Sequence, residues 1–599
     1  MCGIIGYTGK RQALKILLNG LSKLEYRGYD SSGIALLDNC DIKIEKSIGK
    51  LEKLINRLEN TILDSTLGIG HTRWATHGEP TVANAHPHFN KKQTIAVVHN
   101  GIIENYVSLK EELIENGYEF ISETDSEVIA HLLDYYLEED FLKTIKKVID
   151  RLEGSYALGI INSSIKDTLF AVRNESPLIV GIGDDESFVA SDVPAILEYT
   201  NKIYYLDNKN IATLNKDNIT FYDQCLNQIK KEVHTIKWSA SKASKAGYEH
   251  FMLKEIMEQP EVIKNTINTH LKNRLPDIEF NFDLNCISNI FFVGCGTAYN
   301  AGLNAKFLVE KMLGIKAFAE VASEFRYNEP LIDENSLVIL LSQSGETADT
   351  IAALRLAKEK KAKVISIVNV VGSSIARESD NVIYTWAGPE IAVASTKAFT
   401  AQLAVIYLLL IKMALLRQKI TIEEAHDYIK ELKEIPNKVQ SILDNQKQIK
   451  DLAKIFYKKE HAYYLGRGFD YYNAIEGALK LKEISYIHAE AYMAGELKHG
   501  TIALIEEGTL VVALCTNDLL EPKMISNIKE VITRGAEVIV ISNNDLGIGD
   551  HNINVPITNP YFKNIINVIP LQLFAYYMAY YRKCDIDKPK NLAKSVTVE

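Results

Sequence analysis

A cysteine at the second position of the chain could act as a nucleophile that carries its own base. Cys2 is followed by the small residue Gly3, so we expect removal of Met1 and a free α-amine on Cys2. An α-amine titrates near pH ~8, close enough to neutrality to take the thiol proton and return it later to a leaving amine. The alternative interpretation is a chance cysteine at a frayed terminus.

Polar motifs follow Cys2 in an order that suits amide hydrolysis. They are His71-Thr-Arg-Trp-Ala-Thr-His-Gly78, His99-Asn-Gly101 and Glu123-Thr-Asp125. Besides a nucleophile, this reaction needs donors for an oxyanion and groups that hold the charged end of the substrate. Arginine suits a carboxylate and aspartate suits an ammonium. The motif at 99–101 is equally compatible with a type I′ hairpin turn, whose exposed N–H groups could also serve an oxyanion.

A second polar segment, Ser342-Gln-Ser-Gly-Glu-Thr347, lies between a buried strand and a helix. Hydroxyls, an amide and a glycine at a helix N-terminus can hold a phosphate without net positive charge. Serine and threonine are also ordinary helix caps, but six such residues in succession favour a phosphate site. Gly294 and Gly296 hint at a dinucleotide fingerprint; Tyr299 stands where the third glycine is required, which argues against NAD.

Four histidines in the first half of the chain raise the question of a metal site. A proline separates two of them, and no acidic or thiol ligand has suitable spacing, so we interpret them as structural or pocket residues. The four are His71, His77, His86 and His88.

The elements that must position these residues change character along the chain. Short apolar runs separated by turns predict a mostly β first part with some helix, including a helix over 122–139. The later part alternates strands with long helices, which indicates parallel α/β sheets. Three strand landmarks there recur at offsets of 172 to 174 residues, which predicts duplicated doubly wound domains. The predicted divisions are a domain at 1–240, a linker at 241–250, domains at 251–440 and 441–590, and a tail at 591–599.

The bulk composition limits the classes of partner. The chain has 599 residues, 47% hydrophobic and 24% charged, with a formal net charge of −10. Its length predicts two to four domains, and its charge argues against nucleic acid or an anionic membrane as the main partner. Seven scattered cysteines without a C-x-x-C motif indicate a reducing compartment. We found no signal peptide and no apolar run long enough to span a bilayer, so we predict a cytoplasmic protein.

The motifs of the first part resemble those of class II glutamine amidotransferase domains. The resemblance implies an α+β fold of the N-terminal-nucleophile type, with layered sheets and helices, and Cys2 as nucleophile. It implies an oxyanion hole made by the Asn100 side chain and the Gly101 N–H. Arg73 would pair with the α-carboxylate of glutamine and Asp125 with its α-ammonium. The remaining implied pocket residues are Trp74, Thr76, His77 and Arg27.

The later part resembles tandem sugar-isomerase domains, which carry this serine-rich turn. Further segments of the same resemblance, in order along the chain, are Lys254–Pro260, Ala322–Arg326, Val393–Phe399, Glu476–Ser485, Gly495–His499 and Asn591–Glu599. The resemblance therefore covers essentially the whole chain. It implies two α/β doubly wound parallel-sheet domains behind the glutaminase domain.

The resemblance also implies roles in sugar chemistry. Lys594 would form a Schiff base with the sugar C2 carbonyl, Glu483 would move a proton between C1 and C2, and His499 would open the sugar ring. Lys480 would assist near the developing enediol oxygen, although an i, i+3 pair with Glu483 could be an ordinary surface ion pair. The implied sugar-phosphate contacts are Thr297, Ser342, Gln343, Ser344, Thr347, Val393 and Ala394.

Two positions depart from the pattern of the family. Ala298 replaces a serine that contacts phosphate in many relatives, and Gly500-Thr501-Ile502 replaces the common Gly-Pro-Leu. The first removes one hydroxyl contact, and the second removes a proline that would restrict the backbone of that loop.

The resemblance implies an enzyme that uses L-glutamine and D-fructose 6-phosphate and makes D-glucosamine 6-phosphate and L-glutamate. Free ammonia would be mostly protonated at neutral pH, so an enclosed path gated by Trp74 is expected. No cofactor and no metal is expected, and the family implies a homodimer in which His499 serves the neighbouring subunit. The alternatives are a non-catalytic sugar-phosphate sensor and a related deglycase; intact Glu483, His499 and Lys594 argue against the first, and the complete glutaminase part argues against the second.

Overall fold

The computed structural model of the protein describes residues 2–59, 61, 64–75, 77–236 and 245–597. The chain divides into two compact units. The first unit is Met1–Ala243 with Ser595–Glu599, and the second unit is Ser244–Lys594. Residues 241–244 of the predicted linker, and Thr76 of the predicted glutamine pocket, lie outside the described residues.

The first unit contains two antiparallel sheets with helices. Its strands are β1 Gly3–Gly9, β2 Ser31–Asp38, β3 Asp41–Ile48, β4 Leu67–Arg73, β5 His88–Phe89, β6 Ile95–Ile103, β7 Gly154–Asn162, β8 Leu169–Asn174, β9 Ile179–Ile182, β10 Glu186–Ala190, β11 Lys202–Tyr205, β12 Asn210–Leu214, β13 Ile219–Tyr222, β14 Gln228–Ile229 and β15 His234–Thr235. Its helices are α1 Ala13–Leu24, α2 Glu52–Leu58, α3 Tyr106–Glu115, α4 Glu127–Tyr135 and α5 Phe141–Ile149, with a 3₁₀ turn at Val193–Ala195.

The two sheets pack face to face between helical layers. One sheet has the strand order β15-β11-β9-β10-β1-β4-β2-β3 and the other β14-β13-β12-β8-β7-β6-β5. Neighbouring residues of a strand point to opposite faces, so Ile4 enters the core between the sheets while Ile5 packs against α1. In the second sheet Val98 faces the same inter-sheet core and Val97 faces α3 to α5. The predicted layered α+β fold is confirmed.

The second unit contains two five-stranded parallel sheets and long helices. Its strands are β16 Leu271–Lys272, β17 Leu275–Pro276, β18 Asn289–Gly294, β19 Lys316–Val321, β20 Ser336–Ser342, β21 Lys363–Val368, β22 Asn381–Tyr384, β23 His461–Gly466, β24 His488–Met493, β25 Leu510–Cys515, β26 Glu537–Ser542 and β27 His551–Asn554. Its helices are α6 Phe251–Met257, α7 Gln259–Thr269, α8 Thr297–Met312, α9 Ala322–Phe325, α10 Ala348–Glu359, α11 Ser374–Glu378, α12 Lys397–Leu416, α13 Ile422–Asp444, α14 Lys447–Phe456, α15 Phe469–Ser485, α16 Glu521–Ile532 and α17 Asn564–Tyr581. Short 3₁₀ turns lie at Leu284–Cys286, Glu496–His499 and Thr501–Leu504.

The internal duplication predicted from the strand landmarks is confirmed. The sheet order is β19-β18-β20-β21-β22 in the first copy and β24-β23-β25-β26-β27 in the second, and every pair is parallel. Because the carboxyl ends of parallel strands meet at one edge, the turn after β20 lies at the edge where such sheets bind ligands. Helix α12 is long and apolar enough to cross a membrane by composition, but it is mostly buried in the core of the second unit.

Candidate functional site

Cys2 lies beside the end of strand β4. Strand β1 pairs with β4 in an antiparallel register that sets Gly3 opposite Thr72, which brings Cys2 next to Arg73 and Trp74. The Trp74 backbone N–H donates to Cys2 Sγ at 3.3 Å. Burial raises the pKa of the Cys2 thiol, and this N–H and the Arg73 guanidinium only partly oppose the effect. The thiol therefore needs a base, which a free α-amine on the same residue can supply.

Asn100 and Gly101 lie in the middle of strand β6, opposite Ala157 and Tyr156 of β7. The alternative interpretation of 99–101 as a hairpin turn is therefore wrong. Asn100 Nδ2 donates to the Cys2 carbonyl oxygen at 3.0 Å, and a primary amide carries a second hydrogen that can meet an oxyanion. Gly101 has φ +139, and a Cβ there would lie 1.9 Å from the Ser155 carbonyl oxygen, so only glycine fits.

Two buried charged side chains accompany this pair. Arg73 donates to the carbonyl oxygens of His77, Gly78 and Glu79, which holds the 77–79 loop around the guanidinium. Burial lowers the pKa of Arg73, while Cys2 and Asp125 oppose that shift. Asp125 Oδ2 accepts the Ile103 N–H at 2.8 Å, so the carboxylate is fixed at the end of β6. One cation and one anion near the thiol suit an amino acid with an α-carboxylate and an α-ammonium.

The side chains of three other predicted pocket residues, Arg27, His77 and Trp74, contact neighbouring groups of the first unit. Arg27 is buried, and its guanidinium pairs with Asp192 at 2.8 Å and donates to the Tyr26 hydroxyl at 3.4 Å. The His77 ring packs edge-on against Tyr106, with ring centroids 5.6 Å apart. The Trp74 ring meets Tyr29 edge-on at 5.8 Å.

The predicted histidine cluster has a different membership. His71, His86 and His88 are joined by His99, while His77 lies apart from them. Burial lowers the pKa of all four members, that of His71 to about 3. Among the residues that the structure describes, no three His, Cys, Asp or Glu side chains form a metal-binding group. The cluster is a set of neutral imidazoles within the fold.

The predicted phosphate segment of the second unit forms a tight loop between β20 and α10. Ser342 Oγ accepts the Gly345 N–H at 3.0 Å and lies 3.3 Å from Thr347 Oγ1. Gly345 has φ +66, and a Cβ there would lie 2.0 Å from Ser373 Oγ, so the loop requires glycine. Ser344 Oγ accepts the Glu346 N–H at 3.2 Å. The loop places hydroxyls at a helix N-terminus, where a phosphate is favoured.

Three charged residues of α15, the buried Glu476 and Lys480 and the half-buried Glu483, form a row. Lys480 Nζ lies 3.5 Å from Glu476 Oε1 and also pairs with Glu483. Lys480 and Glu476 are fully buried, so the surface ion pair considered for Lys480 and Glu483 is wrong. Burial lowers the pKa of Lys480, but the two carboxylates outweigh it and the net shift is upward. Glu476 also accepts from Thr297 Oγ1 at 3.1 Å, which connects the row to α8.

Lys594 reaches a second group of buried charges. Its Nζ pairs with Glu390 and lies 3.1 Å from Ser395 Oγ. Glu390 Oε1 accepts the N–H groups of Thr396 and Ala398, both at 2.9 Å. Burial favours the neutral acid, but Lys594 and these N–H groups outweigh it and lower the pKa of Glu390.

The segment that holds Glu390 is itself anchored by buried groups. Glu255 Oε1 accepts the N–H groups of Ile391 at 2.6 Å and Ala392 at 3.2 Å. Burial, reinforced by Glu390, raises the pKa of Glu255 to about 8. Val393, which with Ala394 is a predicted sugar-phosphate contact, donates its N–H to the Asp587 carbonyl oxygen at 3.1 Å. The segment before α12 is thus fixed by its backbone.

Three further residues singled out in the second unit, His499, Gln343 and Ala298, are exposed or half-buried. His499 is exposed and ends the 3₁₀ turn Glu496–His499. Gln343 is half-buried, and its carbonyl oxygen accepts the Asn369 N–H at 3.2 Å. Ala298 lies in the first turn of α8 and is half-buried.

Comparisons with known proteins agree with both units. The glutamine amidotransferase domain family matches residues 71–198, and the SIS domain family matches residues 283–412 and 455–582. A glutamine–fructose-6-phosphate aminotransferase [isomerizing] of Caldanaerobacter subterraneus subsp. tengcongensis is 54% identical over 100% of both chains. The protein of that name from Clostridium tetani is 51% identical, again over 100% of both chains. The chain belongs to the glutamine–fructose-6-phosphate aminotransferase (isomerising) family.

A solved structure agrees with this assignment for the second unit. The C-terminal domain of glucosamine-fructose-6-phosphate aminotransferase from Francisella tularensis is 41% identical, with a TM-score of 0.56, and covers 57% of this chain and 99% of that chain. As a member of the aminotransferase family, the protein is an enzyme. The buried carboxylates Glu255, Glu390 and Glu476 were not predicted as site residues. Only Glu476 had a signal, because it lies i−4 from Lys480 and i−7 from Glu483 on one helical face.

The second copy of the duplicated SIS domain has a carboxylate in the first turn of α15, which reaches the end of strand β25. Asp470 stands 172 positions after Ala298. Its Oδ2 accepts the Thr516 N–H at 2.8 Å and its Oδ1 accepts the Thr516 hydroxyl at 2.7 Å, directly after β25. Lys563 Nζ lies 2.9 Å from the same carboxylate, and both side chains are buried. The first copy keeps hydroxyls at this edge of the sheet, whereas the second holds an ion pair.

Proposed function

We propose that the enzyme transfers the amide nitrogen of L-glutamine to D-fructose 6-phosphate, forming D-glucosamine 6-phosphate and L-glutamate. The observation that carries the proposal is the full-length identity of 54% to a relative of this name, in a chain that has Cys2 against Asn100 and Lys594 against Glu390. The nitrogen passes between the two reactions as ammonia, and Trp74 gates its release.

In the first reaction Cys2 is the nucleophile. Its α-amine, freed by removal of Met1, takes the thiol proton, and the thiolate attacks the side-chain carbonyl of glutamine. Asn100 Nδ2 and the Gly101 N–H stabilise the oxyanion, while Arg73 and Asp125 hold the α-carboxylate and the α-ammonium. The α-ammonium of Cys2 returns its proton to the departing nitrogen. Water then hydrolyses the thioester to glutamate. The further residues proposed to contribute to the glutamine pocket are Trp74, Thr76 and His77, with Arg27 acting through Asp192.

In the second reaction the sugar phosphate binds the loop after β20. Its proposed contacts are Thr297, Ser342, Gln343, Ser344, Thr347 and the backbone at Val393 and Ala394. His499 opens the ring, and the Lys594 amine attacks C2 and expels water to form a Schiff base. Ammonia displaces the lysine and leaves an imine at C2. Glu483 takes a proton from C1 and delivers it to C2, and the proton of the C1 hydroxyl passes to the nitrogen, with Lys480 beside the C1 oxygen of the enolamine. The resident groups named here require no cofactor.

The experiment that tests the function is an isotope transfer. The full-length protein, with the N-terminus checked by mass spectrometry, is incubated with fructose 6-phosphate and glutamine labelled with ¹⁵N at the amide. We expect ¹⁵N-labelled glucosamine 6-phosphate and one glutamate for each amino sugar. Binding of fructose 6-phosphate without product would favour a sugar-phosphate sensor and contradict the proposal.

The role of Cys2 has its own test within this experiment. We expect Cys2→Ala, or a form that retains Met1, to stop glutamate release while fructose 6-phosphate is still isomerised. Cys40→Ala is the matched control, because Cys40 is an exposed cysteine of the same unit. An electrophilic glutamine analogue should label Cys2 alone among the seven cysteines. Native glutamate release by Cys2→Ala would disprove the nucleophile assignment.

We also propose that the enzyme works in the cytoplasm as a homodimer in which His499 serves the sugar site of the neighbouring subunit. Mixing inactive His499→Ala and Lys594→Arg variants tests this, because a mixed dimer would contain one intact site. Recovery of activity on subunit exchange supports the shared site, and its absence in proven mixed dimers contradicts it.

A further inference from the structure

We infer that His71 is a positioning residue of the glutaminase reaction, which holds the Asn100 amide so that its NH₂ group points to the oxyanion. The inference rests on the proposed role of Asn100. His71 lies on β4 and Asn100 on β6, so one strand of each sheet contributes to the contact. His71 itself is not proposed to touch the substrate.

The hydrogen bonds of His71 determine where its proton lies. His71 Nε2 is 3.0 Å from the His99 carbonyl oxygen and 3.0 Å from Asn100 Oδ1. A backbone carbonyl can only accept, so Nε2 must carry the hydrogen. That N–H then fixes the orientation of the Asn100 side chain, with Oδ1 towards His71 and Nδ2 towards the Cys2 carbonyl oxygen.

The opposite orientation of the amide would be unfavourable on both sides. The Asn100 NH₂ would face the His71 N–H, and its oxygen would face the Cys2 carbonyl oxygen. Such an orientation would also turn a carbonyl towards the developing oxyanion, which would destabilise the transition state more than bound glutamine. The contact with His71 therefore acts on the chemical step.

The surroundings keep the His71 ring neutral and immobile. The side chain is fully buried, and burial lowers its pKa to about 3. The ring stacks on His86 with centroids 4.1 Å apart and an interplanar angle of 16°. His86 Nδ1 in turn accepts the His99 N–H at 3.2 Å, next to the carbonyl that His71 contacts. Packing thus holds the donor at one place and in one tautomer.

The test compares His71→Phe with His71→Gln. Phenylalanine keeps a flat ring against His86 but has no donor, whereas glutamine can donate its NH₂ to Asn100 Oδ1. We expect His71→Phe to lower kcat for glutamate release about 10- to 100-fold, with KM changed less than about threefold. His71→Gln should retain a large part of the kcat that His71→Phe loses. His131→Phe is the matched control, because His131 is a buried histidine of the same unit on α4.

A double-mutant cycle shows whether His71 acts through Asn100. If it does, His71→Phe should add less than about twofold to the loss caused by Asn100→Ala. The aldehyde analogue of glutamine gives a second readout, because Cys2 converts it to a tetrahedral adduct with an oxyanion. Its Ki should rise in proportion to the loss of kcat/KM, while the Kd of L-glutamate stays within threefold.

Some outcomes would overturn the inference. They are full additivity in the cycle, a higher KM at unchanged kcat, or an aldehyde Ki that does not follow kcat/KM. If His71→Phe fails to fold, as judged by lost isomerisation of fructose 6-phosphate and lost circular dichroism, the same comparisons apply to His71→Gln and Asn100→Ala. Native activity of Asn100→Ala would instead disprove the proposed oxyanion hole, and absence of glutaminase activity in the unmodified protein would disprove the proposed function.

Discussion

Lys594 and Glu390 form an ion pair in which both side chains are almost completely buried. Lys594 lies in the last described stretch of the chain, where 591–597 has no helix or strand. An ammonium cannot attack a carbonyl, so the Schiff-base chemistry proposed for Lys594 requires the proton to leave its amine. The carboxylate of Glu390 is in contact with Nζ and can take it.

We expect Lys594→Arg to abolish amino-sugar formation while glutamate release continues, because a guanidinium keeps the charge but cannot form the Schiff base. Borohydride added with fructose 6-phosphate should leave a mass adduct on Lys594 in the unmodified protein. Lys590→Arg, four residues earlier in the chain, is the control, and borohydride should still leave the adduct on Lys594 in this variant. An adduct on another lysine would remove Lys594 from the mechanism.

Loss of the Thr347 hydroxyl should weaken sugar-phosphate binding. Thr347→Ala should raise the KM for fructose 6-phosphate by about tenfold, since one lost contact to a charged group costs about 1–3 kcal/mol. Thr347→Ser should restore most of the affinity, and glutamate release should be unaffected. Ser379→Ala, which removes a helix hydroxyl bonded to the Ile375 carbonyl oxygen, is the control. An unchanged KM in Thr347→Ala and Ser344→Ala would place the phosphate elsewhere.

Mild acid should destabilise the first unit through its buried histidines. The unfolded chain binds protons on histidine below pH ~6.5, whereas burial keeps His71 neutral to a pKa of about 3. Stability is therefore present above pH ~6.5 and is lost as the pH falls, by at most about 1.4 kcal/mol per pH unit for each such histidine. Hydrogen exchange of β4 and β6, corrected for the intrinsic rate, should accelerate between pH 6.5 and 5. Protection factors of the β4 and β6 amides that stay constant between pH 6.5 and 5 would contradict a destabilising effect of the buried histidines.

Glu255 should show the opposite dependence in the second unit. Its folded pKa of about 8 exceeds the ordinary value of 4.5, so the folded state holds an extra proton between these values. The stability contributed by this group is present at low pH and falls as the pH rises to 8. Glu255→Gln mimics the neutral acid and should gain stability relative to the unmodified protein from pH 6 to 8, by up to about 1.4 kcal/mol per unit. If the difference in the free energy of urea unfolding between Glu255→Gln and the unmodified protein stays constant from pH 6 to 8, the raised pKa of Glu255 is refuted.

Much of the architecture could be predicted because it follows from local periodicity. Apolar alternation indicated the layered sheets of the first unit, and recurring strand landmarks indicated two parallel sheets. The helix predicted over 122–139 is shorter in the structure, where α4 covers only Glu127–Tyr135. The Glu127 carboxylate accepts the N–H of Ile121 and the N–H and hydroxyl of Ser122, which holds an irregular loop before the helix.

The site was harder to predict where it depends on contacts distant in sequence. The sequence motif at 99–101 is compatible with a hairpin turn, but pairing of β6 with β7 determines its strand conformation. Glu390 and Lys594 are 204 residues apart, and no spacing rule connects them. Glu255 is 136 residues from Ile391, the first residue whose N–H group it accepts. Family resemblance identified Lys594, whereas the acids around it became apparent only in the fold.

The carboxylate of Asp470 gives the two copies of the duplicated domain different relations to ligand. In the second copy the Thr516 N–H and hydroxyl are already bonded to an anion of the chain itself. If the first copy binds the sugar phosphate as proposed, the second copy carries its own anion where the first copy takes one from solution, and we expect its order not to vary with metabolite concentration. Saturating fructose 6-phosphate should slow hydrogen exchange after β20 and leave exchange after β25 unchanged.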